Sequence, residues 1–143
     1  MLSAIDTNVI SALWSREPTA HRLATWLNEA RMAGGLVICA PVHAELQAHP
    51  AADEPLVNRF LNDTDIRIDF DLGEQVWLAA GEAFAAYAVR RRSSGGSEPK
   101  RLLVDFIVGA HALKRADRLL TLDANRYRID FPDVRLEGVP TPD

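Results

Sequence analysis

The stretch Leu2-Ser3-Ala4-Ile5-Asp6-Thr7-Asn8 decides the fold that the chain is expected to adopt. Its apolar part has the length of a buried strand, and the polar residues that end it favour a helix start near Asp6 to Asn8. Further strands or extended segments are predicted at 36–40, 66–68, 118–121 and 135–136. Short apolar strands that alternate with helices predict an α/β fold with a central, mostly parallel sheet and helices on both faces.

Apolar residues at helical spacing predict helices between these strands. They are placed at 18–33, 41–46, 55–62, 72–90 and 102–115. The segment 90–100 between the last two is rich in Arg, Ser and Gly, which predicts a mobile loop. No linker divides the chain, and its 143 residues, 48% of them hydrophobic, fit one domain over residues 1–143.

No segment of the sequence predicts export or membrane insertion. The start lacks a basic region ahead of an apolar run, and no apolar stretch approaches the roughly 20 residues that span a bilayer. Cys39, the single cysteine, lies in the apolar run 36–40 and is predicted to be a buried thiol. We therefore expect a soluble protein of the reducing cytoplasm, with no membrane partner.

Four carboxylates lie where predicted elements begin or end, within mostly apolar sequence: Asp6, Glu45, Asp105 and Asp123. Burying an unpaired carboxylate is costly, so a compensating positive charge is expected. Asp105 is the only charge in the apolar segment 102–110. Ligands of α/β sheets bind outside the carboxyl ends of the strands, so these four side chains are expected to converge on one site.

A cluster of carboxylates offers hard oxygen ligands, which suit Mg²⁺, or Mn²⁺ as its substitute, rather than Zn²⁺. A metal held in this way lowers the pKa of a bound water and stabilises the departing oxygen of a phosphodiester. Three of the four positions also have a local alternative: Asp6 as an N-cap, Glu45 as a first-turn charge and Asp123 as the cap of a turn. Their common topology favours the metal site.

Four segments, in this order, carry a resemblance to a known family: Ile5-Asp6-Thr7-Asn8, Ala40-Pro41-Val42-His43-Ala44-Glu45, Asp105-Phe106-Ile107-Val108-Gly109-Ala110-His111-Ala112-Leu113 and Leu119-Leu120-Thr121-Leu122-Asp123-Ala124-Asn125-Arg126-Tyr127. Over nearly its whole length, the chain resembles the PIN-domain ribonucleases, and specifically the VapC-type toxins of bacterial toxin-antitoxin pairs. The resemblance implies a PIN-like fold and a Mg²⁺-dependent endoribonuclease, in which a metal-activated water hydrolyses RNA.

The resemblance also implies roles for individual residues. Asp6, Glu45 and Asp105 are expected to form the acidic centre, with Asp123 as its fourth member. Asp6 and Asp105 are expected to be the direct Mg²⁺ ligands. Hydrogen bonds that orient the carboxylates or water are expected from Thr7, Asn8 and Thr121.

Basic side chains are concentrated in the C-terminal part of the chain. Residues 1–89 carry five basic and twelve acidic side chains, whereas residues 90–143 carry eleven basic and eight acidic ones. The net charge of −4 argues against a protein that coats nucleic acid by bulk charge. Candidate contacts to RNA phosphates, or alternatively solvated helix ends, are Arg90, Arg91, Arg92, Lys100 and Arg101.

The partners implied by the resemblance are a small VapB-like antitoxin, whose C-terminal segment lies over the acidic cleft, and a second copy of the chain. A larger toxin-antitoxin assembly is compatible with both contacts. Two alternatives use the same fold: an inactive PIN-like domain that only binds partners, and a metal-dependent DNA nuclease or phosphatase.

Two departures from the family pattern stand near Asp105. Val108-Gly109 replaces a residue pair in which relatives often have Ala or Ser, and this change is expected to affect packing only. The long loop before Asp105 leaves the choice of RNA open, because loops carry recognition. His43, His49 and His111 are expected on helix surfaces or in partner contacts, since no zinc-site spacing accompanies them.

Overall fold

One five-stranded sheet forms the centre of residues 1–139, the part of the chain that the computed structural model describes. Its strands are β1 (Ser3–Ile5), β2 (Leu36–Cys39), β3 (Ile66–Asp69), β4 (Arg118–Leu120) and β5 (Leu136–Glu137). The order is β3-β2-β1-β4-β5, and every neighbouring pair is parallel. The prediction of a mostly parallel sheet is confirmed. Residues 140–143, which the predicted domain includes, lie outside the described residues.

The helices of the described residues are α1 (Thr7–Trp14), α2 (Ala20–Ala33), α3 (Ala40–Leu46), α4 (Glu54–Asp63), α5 (Gly73–Ser93), α6 (Leu103–Arg115) and α7 (Ala124–Arg128). Every residue of β1 and β2 is buried, so helices cover both faces of the sheet, as predicted. Within residues 1–139, no helix is both long and apolar enough to cross a membrane.

Helix α5 is longer than the sequence pattern predicts. Arg90, Arg91 and Arg92 belong to its last turn and not to the loop. The three cations interact favourably with the carbonyl end of the helix. Gly95 and Gly96 follow with φ values of 66° and 83°, and the amide of Gly96 donates to the Arg91 carbonyl at 3.0 Å. Left-handed glycines therefore end α5 after the arginines.

The segment after β4 forms the short helix α7, where the sequence predicts only a turn. Its five residues lack an apolar period, so no local signal distinguishes the helix from a turn. Phe131, just beyond α7, packs over α6 at Gly109. A Cβ atom at Gly109 would lie 2.3 Å from two ring carbons of Phe131, so only glycine permits this contact. The expectation that the Val108-Gly109 departure concerns packing agrees with this arrangement.

Strand β1 occupies the switch point of the sheet. The chain continues from β1 to β2 on one side, and β4 adds on the other side of β1. Crevices form at such points, outside the carboxyl ends of the strands. Asp6 follows β1 and Thr121 follows β4, so both residues lie at this crevice.

Two single residues test the expectations for burial. Cys39 is buried, as predicted, and desolvation raises the pKa of its thiol to about 11. His111 is only 1% exposed, so the prediction of a helix-surface or partner-contact histidine is wrong. Its Nε2 lies 2.8 Å from Asp69 Oδ2 at the end of β3. This partner, 42 residues away in sequence, permits the burial of a polar ring.

Candidate active site

Asp6 is a buried carboxylate at the end of the central strand. The residue is 5% exposed, and its side chain makes no capping hydrogen bond to α1. The N-cap alternative therefore does not explain it. Its Oδ2 instead accepts hydrogen bonds from the Thr121 hydroxyl at 2.9 Å and the Tyr127 hydroxyl at 2.8 Å. Desolvation raises the pKa of the Asp6 carboxyl, although these two hydrogen bonds and the charge of Arg126 oppose that shift.

Thr121 connects Asp6 to the segment after β4. Its Oγ1 accepts a hydrogen bond from the backbone amide of Asp123 at 3.0 Å and one from Asn8 Nδ2 at 3.5 Å. The Asn8 Oδ1 accepts from the amide of Leu122 at 3.2 Å. The hydroxyl proton of Thr121 is consequently directed toward Asp6. The structure thus places Asn8 and Thr121 beside the acidic residues that the sequence predicts they orient.

Asp105 and Asp123 lie on either side of one guanidinium group. Arg126 Nη1 is 3.4 Å from Asp105 Oδ1, and Arg126 Nε is 3.3 Å from Asp123 Oδ2. Asp105 also accepts a 3.3 Å hydrogen bond from the Leu102 amide at the start of α6. The exposed fractions of the two carboxylate side chains are 20% for Asp105 and 42% for Asp123. We call the group formed by Asp6, Asp105, Asp123 and Arg126 the acidic pocket.

Glu45 stands at the exposed rim of the same crevice. It lies in the last turn of α3, so the alternative of a first-turn charge is wrong, and its Oε1 accepts a 2.7 Å hydrogen bond from the Thr7 hydroxyl. Glu45 and Asp6 both act electrostatically on the buried thiol of Cys39, the last residue of β2. Glu45 is therefore connected to the start of α1 through Thr7. It is more exposed than the other three carboxylate residues.

Tyr127 and Arg126 are the two site residues that the sequence analysis missed. Burial, together with the negative charge of Asp6, raises the pKa of the Tyr127 hydroxyl well above its ordinary value, so this group stays a donor. Partial burial alone would lower the pKa of Arg126, but Asp105, Tyr127, Asp123 and Asp6 together raise it. The signal available in the sequence was the spacing of Asp123, Arg126 and Tyr127, which places them on one face of a helix.

The acidic side chains fit a hard divalent cation by chemistry, because they supply only carboxylate oxygens. Within residues 1–139, however, no three Asp, Glu, His or Cys side chains are close enough together to hold one metal ion. The predicted carboxylates are gathered at one crevice, but a guanidinium lies among three of them. Metal binding thus requires a local rearrangement of these side chains.

A basic cavity of about 480 Å³ lies next to the acidic pocket, between the end of α5 and the start of α6. We define it by its cations, Arg91, Arg92, Lys100 and Arg101. The hydroxyl of Tyr87 donates to the Pro99 carbonyl and accepts from the Arg101 amide, both at 2.7 Å. Arg101 also lines a smaller cavity of about 190 Å³ whose wall includes Arg126. Arg101 and Tyr87 therefore line both the basic cavity and the smaller cavity beside Arg126.

Arg90 differs from the other predicted phosphate contacts. Its guanidinium pairs with Asp130 and lies 3.7 Å from Glu98. It also lies over the ring of Tyr87, with 5.9 Å between the guanidinium carbon and the ring centroid. These contacts hold the end of α5 against the segment after α7. The charge of Arg90 is already compensated, which leaves the four cations of the basic cavity as the candidates for phosphate contacts.

Carboxylates at the switch point of a parallel sheet define the class of protein, a doubly wound α/β domain with an acidic site. A family model described as the PIN domain matches residues 4–132. The chain therefore belongs to the PIN domain family. A search of curated protein sequences finds no match.

Solved structures with the same fold come from toxin-antitoxin complexes. The crystal structure of VapBC2 from Rickettsia felis, bound to a DNA fragment from their promoter, contains a chain with a TM-score of 0.67 and 19% identity, covering 98% of this chain and 100% of that one. A chain of VapBC-1 from nontypeable Haemophilus influenzae has a TM-score of 0.62 and 20% identity, covering 96% of this chain and 98% of that one. A chain of FitAcB from Neisseria gonorrhoeae has a TM-score of 0.60 and 19% identity, covering 95% of this chain and 96% of that one. At these identities the likeness establishes the fold.

Proposed function

We propose that this chain is a Mg²⁺-dependent endoribonuclease and the VapC-type toxin of a toxin-antitoxin pair. The observation that carries the proposal is the buried Asp6 carboxylate at the switch point, held by Thr121 and Tyr127 and facing the charges of Asp105 and Asp123 across Arg126. The hydroxyl donors would satisfy any buried carboxylate, so it is the grouping of Asp6 with two further carboxylates at the switch point that favours a functional site. Membership of the PIN domain family supports the nuclease assignment.

The residues proposed to hold Mg²⁺ are Asp6 and Asp105, with Glu45 and Asp123 completing the site. When bound, a divalent cation would lower the pKa of a water and stabilise the departing oxygen of a phosphodiester. Thr121 and Tyr127 keep the Asp6 carboxylate in one orientation, because both donate to the same oxygen. The Thr7 hydroxyl does the same for Glu45 at the rim.

The RNA substrate is proposed to run from the basic cavity into the acidic pocket. Arg91, Arg92, Lys100 and Arg101 supply positive charge beside the ring of Phe84, which also lines the cavity. Phosphates bind to such clusters without sequence preference, and they position the strand for cleavage. We propose that the chain acts in the cytoplasm, where such RNA is available.

The partner that we propose is a small VapB-like antitoxin. The solved structures that share this fold are components of VapBC and FitAB complexes, which supports this kind of partner. A basic side chain at the C-terminal end of an antitoxin would form ion pairs with the Asp105 and Asp123 carboxylates at the mouth of the acidic pocket. Such a contact would block the site and neutralise the toxin.

A homodimer is proposed through the outward face of α5. Trp77 and Leu78 expose large apolar surfaces there, at 52% and 59% exposed. Exposed aromatic residues of this size favour protein interfaces. Sedimentation of the purified chain, compared with a Trp77→Glu variant, would test this contact.

The proposed activity is tested by offering the purified protein RNA, DNA and a phosphomonoester, each with Mg²⁺ and with EDTA. We expect cleavage of RNA with Mg²⁺ only, and its loss in Asp6→Asn and Asp105→Asn. Asp63→Asn is the matched control, because Asp63 is an exposed carboxylate on α4. Cleavage of DNA or the monoester instead would favour the alternative enzymes. No Mg²⁺-dependent activity on any substrate would leave a partner-binding module.

A further inference from the structure

Arg126 occupies the position at which the acidic carboxylates face one another. Its guanidinium is within 3.4 Å of both Asp105 and Asp123, and its charge lowers the pKa of the Asp6 carboxyl. One cation thus faces three of the four residues that were proposed to hold Mg²⁺. The positive charge that the sequence required at this site is supplied, in this structure, by the chain itself.

The contacts of Arg126 are long for charged partners. Hydrogen bonds between a guanidinium and a carboxylate are usually about 2.7–2.9 Å, whereas that from Arg126 to Asp105 is 3.4 Å, and the 3.3 Å contact to Asp123 is an ion pair without hydrogen-bond geometry. Its Nε is buried and makes no hydrogen bond to any of the residues 1–139. The guanidinium therefore balances charge between two carboxylates without optimal hydrogen bonds to either.

Space for a second position of the side chain lies beside the acidic pocket. The smaller cavity of about 190 Å³ is lined by Arg126 itself and by Glu98 and Asp130. Arg90, which pairs with both carboxylates, and Arg101 also line this cavity, so its charges are balanced and it offers the Arg126 side chain room. Arg126 already lines this cavity, so the proposal requires only rotation about the bonds of its long side chain.

We propose that Arg126 is a displaceable counter-cation that holds the acidic pocket together in the metal-free protein and leaves it when a divalent cation binds. The inference rests on the proposed function, because it concerns the same site. A guanidinium and a metal ion cannot occupy one position, so Arg126 weakens metal binding. In return, it limits repulsion among the carboxylates while no metal is present.

Metal binding without RNA tests the proposal directly. The full chain is titrated with Mn²⁺ alone, and the free ion is measured by its paramagnetic signal in wild type, Arg126→Gln and Arg126→Lys. We expect Arg126→Gln to bind Mn²⁺ at least about tenfold more tightly, since a neighbouring opposite charge typically shifts a carboxylate equilibrium by one to three powers of ten. Arg126→Lys keeps the charge, and its affinity should stay close to that of wild type.

Arg128→Gln is the matched control. Arg128 lies on the same helix, is exposed and hydrogen-bonds Asn125 at 2.9 Å. Its Mn²⁺ affinity should equal that of wild type. A second readout is thermal unfolding: in EDTA the Arg126→Gln protein should melt below wild type, and saturating Mn²⁺ should raise its melting temperature by more than it raises that of wild type.

The outcomes separate this inference from the proposed function. If wild type binds Mn²⁺ and Arg126→Gln binds it equally or more weakly, the inference is overturned while the metal-dependent nuclease stands. If neither protein binds Mn²⁺, the metal dependence fails and the inference fails with it. If Arg128→Gln tightens binding as much as Arg126→Gln does, the effect is one of general charge, and the specific role of Arg126 is refuted.

Discussion

In the acidic pocket, charges of both signs face one another across a buried crevice, whereas in the basic cavity charges of one sign face solvent. Asp6 is almost fully buried, and its charge depends on hydroxyl donors and a nearby guanidinium. Arg92 and Lys100 are exposed at the end of α5 and in the loop before α6. Under the proposed function the two regions use charge differently: the buried charges are held in place for chemistry, and the exposed charges are available to bind phosphates.

The largest expected effect comes from removing the buried charge. Asp6→Asn should reduce Mg²⁺-dependent RNA cleavage by more than about 100-fold, since even residues that only support metal ligands cost 10–100-fold. Because desolvation raises the pKa of Asp6, the neutral amide should leave the protein at least as stable in EDTA. Cleavage rates and thermal unfolding, measured on the same samples, check both statements. A destabilised variant would mean that Asp6 serves the fold.

A smaller effect is expected from the packing that positions α6. Gly109→Ala would place a methyl group against the Phe131 ring, and should destabilise the protein by about 1–3 kcal/mol through overpacking. Gly81→Ala is the matched control on α5, where a Cβ atom meets nothing within 4 Å. The unfolding free energy of Gly81→Ala should rise by about 0.5–1 kcal/mol, because alanine is a better helix former than glycine. Urea unfolding of both proteins measures the two changes in unfolding free energy. Equal changes would contradict the packing of Phe131 on Gly109.

Removal of two cations from the basic cavity should weaken RNA binding moderately. In Arg91→Ala/Arg92→Ala, the slope of log affinity against log salt should fall by about 0.7 for each RNA phosphate that the protein no longer neutralises. Arg59→Ala removes an exposed cation from α4, away from the cavity, and should leave the slope unchanged. Titration of a single-stranded RNA at several salt concentrations gives the slopes. Identical slopes in wild type and both variants would show that Arg91 and Arg92 do not bind RNA phosphates.

The smallest effect concerns a histidine outside both regions. Desolvation lowers the pKa of His111 below its ordinary value of 6.5, against the opposing hydrogen bond and charge of Asp69, while Arg115 and Arg67 lower it further. The unfolded chain therefore binds this proton first, so the stability contributed by the neutral ring declines as the pH falls below about 6.5.

His111→Gln should flatten the dependence of unfolding free energy on pH between 7 and 5. The exposed His21→Gln on α2 should leave that dependence as in wild type. Denaturant unfolding at several pH values measures both curves. The difference between the wild-type and His111→Gln curves gives the pH effect on the fold, which can then be separated from pH effects on the site. Parallel curves for wild type and His111→Gln would contradict the assignment of this pH-dependent stability to His111.

The sequence predicts those features that depend on short patterns. Apolar runs locate the strands, and polar residues that end them locate Asp6 and Thr121 at the crevice. Arg126 and Tyr127 escaped prediction because α7 is only five residues long and has no apolar period. The burial of His111 also escaped, since its partner Asp69 is distant in sequence. Contacts between distant segments thus decide most details of the acidic pocket, and the spacing of Asp123, Arg126 and Tyr127 is the local pattern that indicates part of it.

The central claim is that the acidic pocket and the basic cavity are two parts of one RNA-cleaving site. Measuring RNA affinity and single-turnover cleavage on the same RNA, for Asp105→Asn and for Arg91→Ala/Arg92→Ala, tests this claim most directly. We predict that Asp105→Asn keeps or tightens RNA affinity and loses cleavage, whereas the double arginine variant loses affinity and keeps cleavage at saturating protein. If Asp105→Asn cleaves at the wild-type rate, or if the arginine variant binds RNA as wild type does, the claim is contradicted.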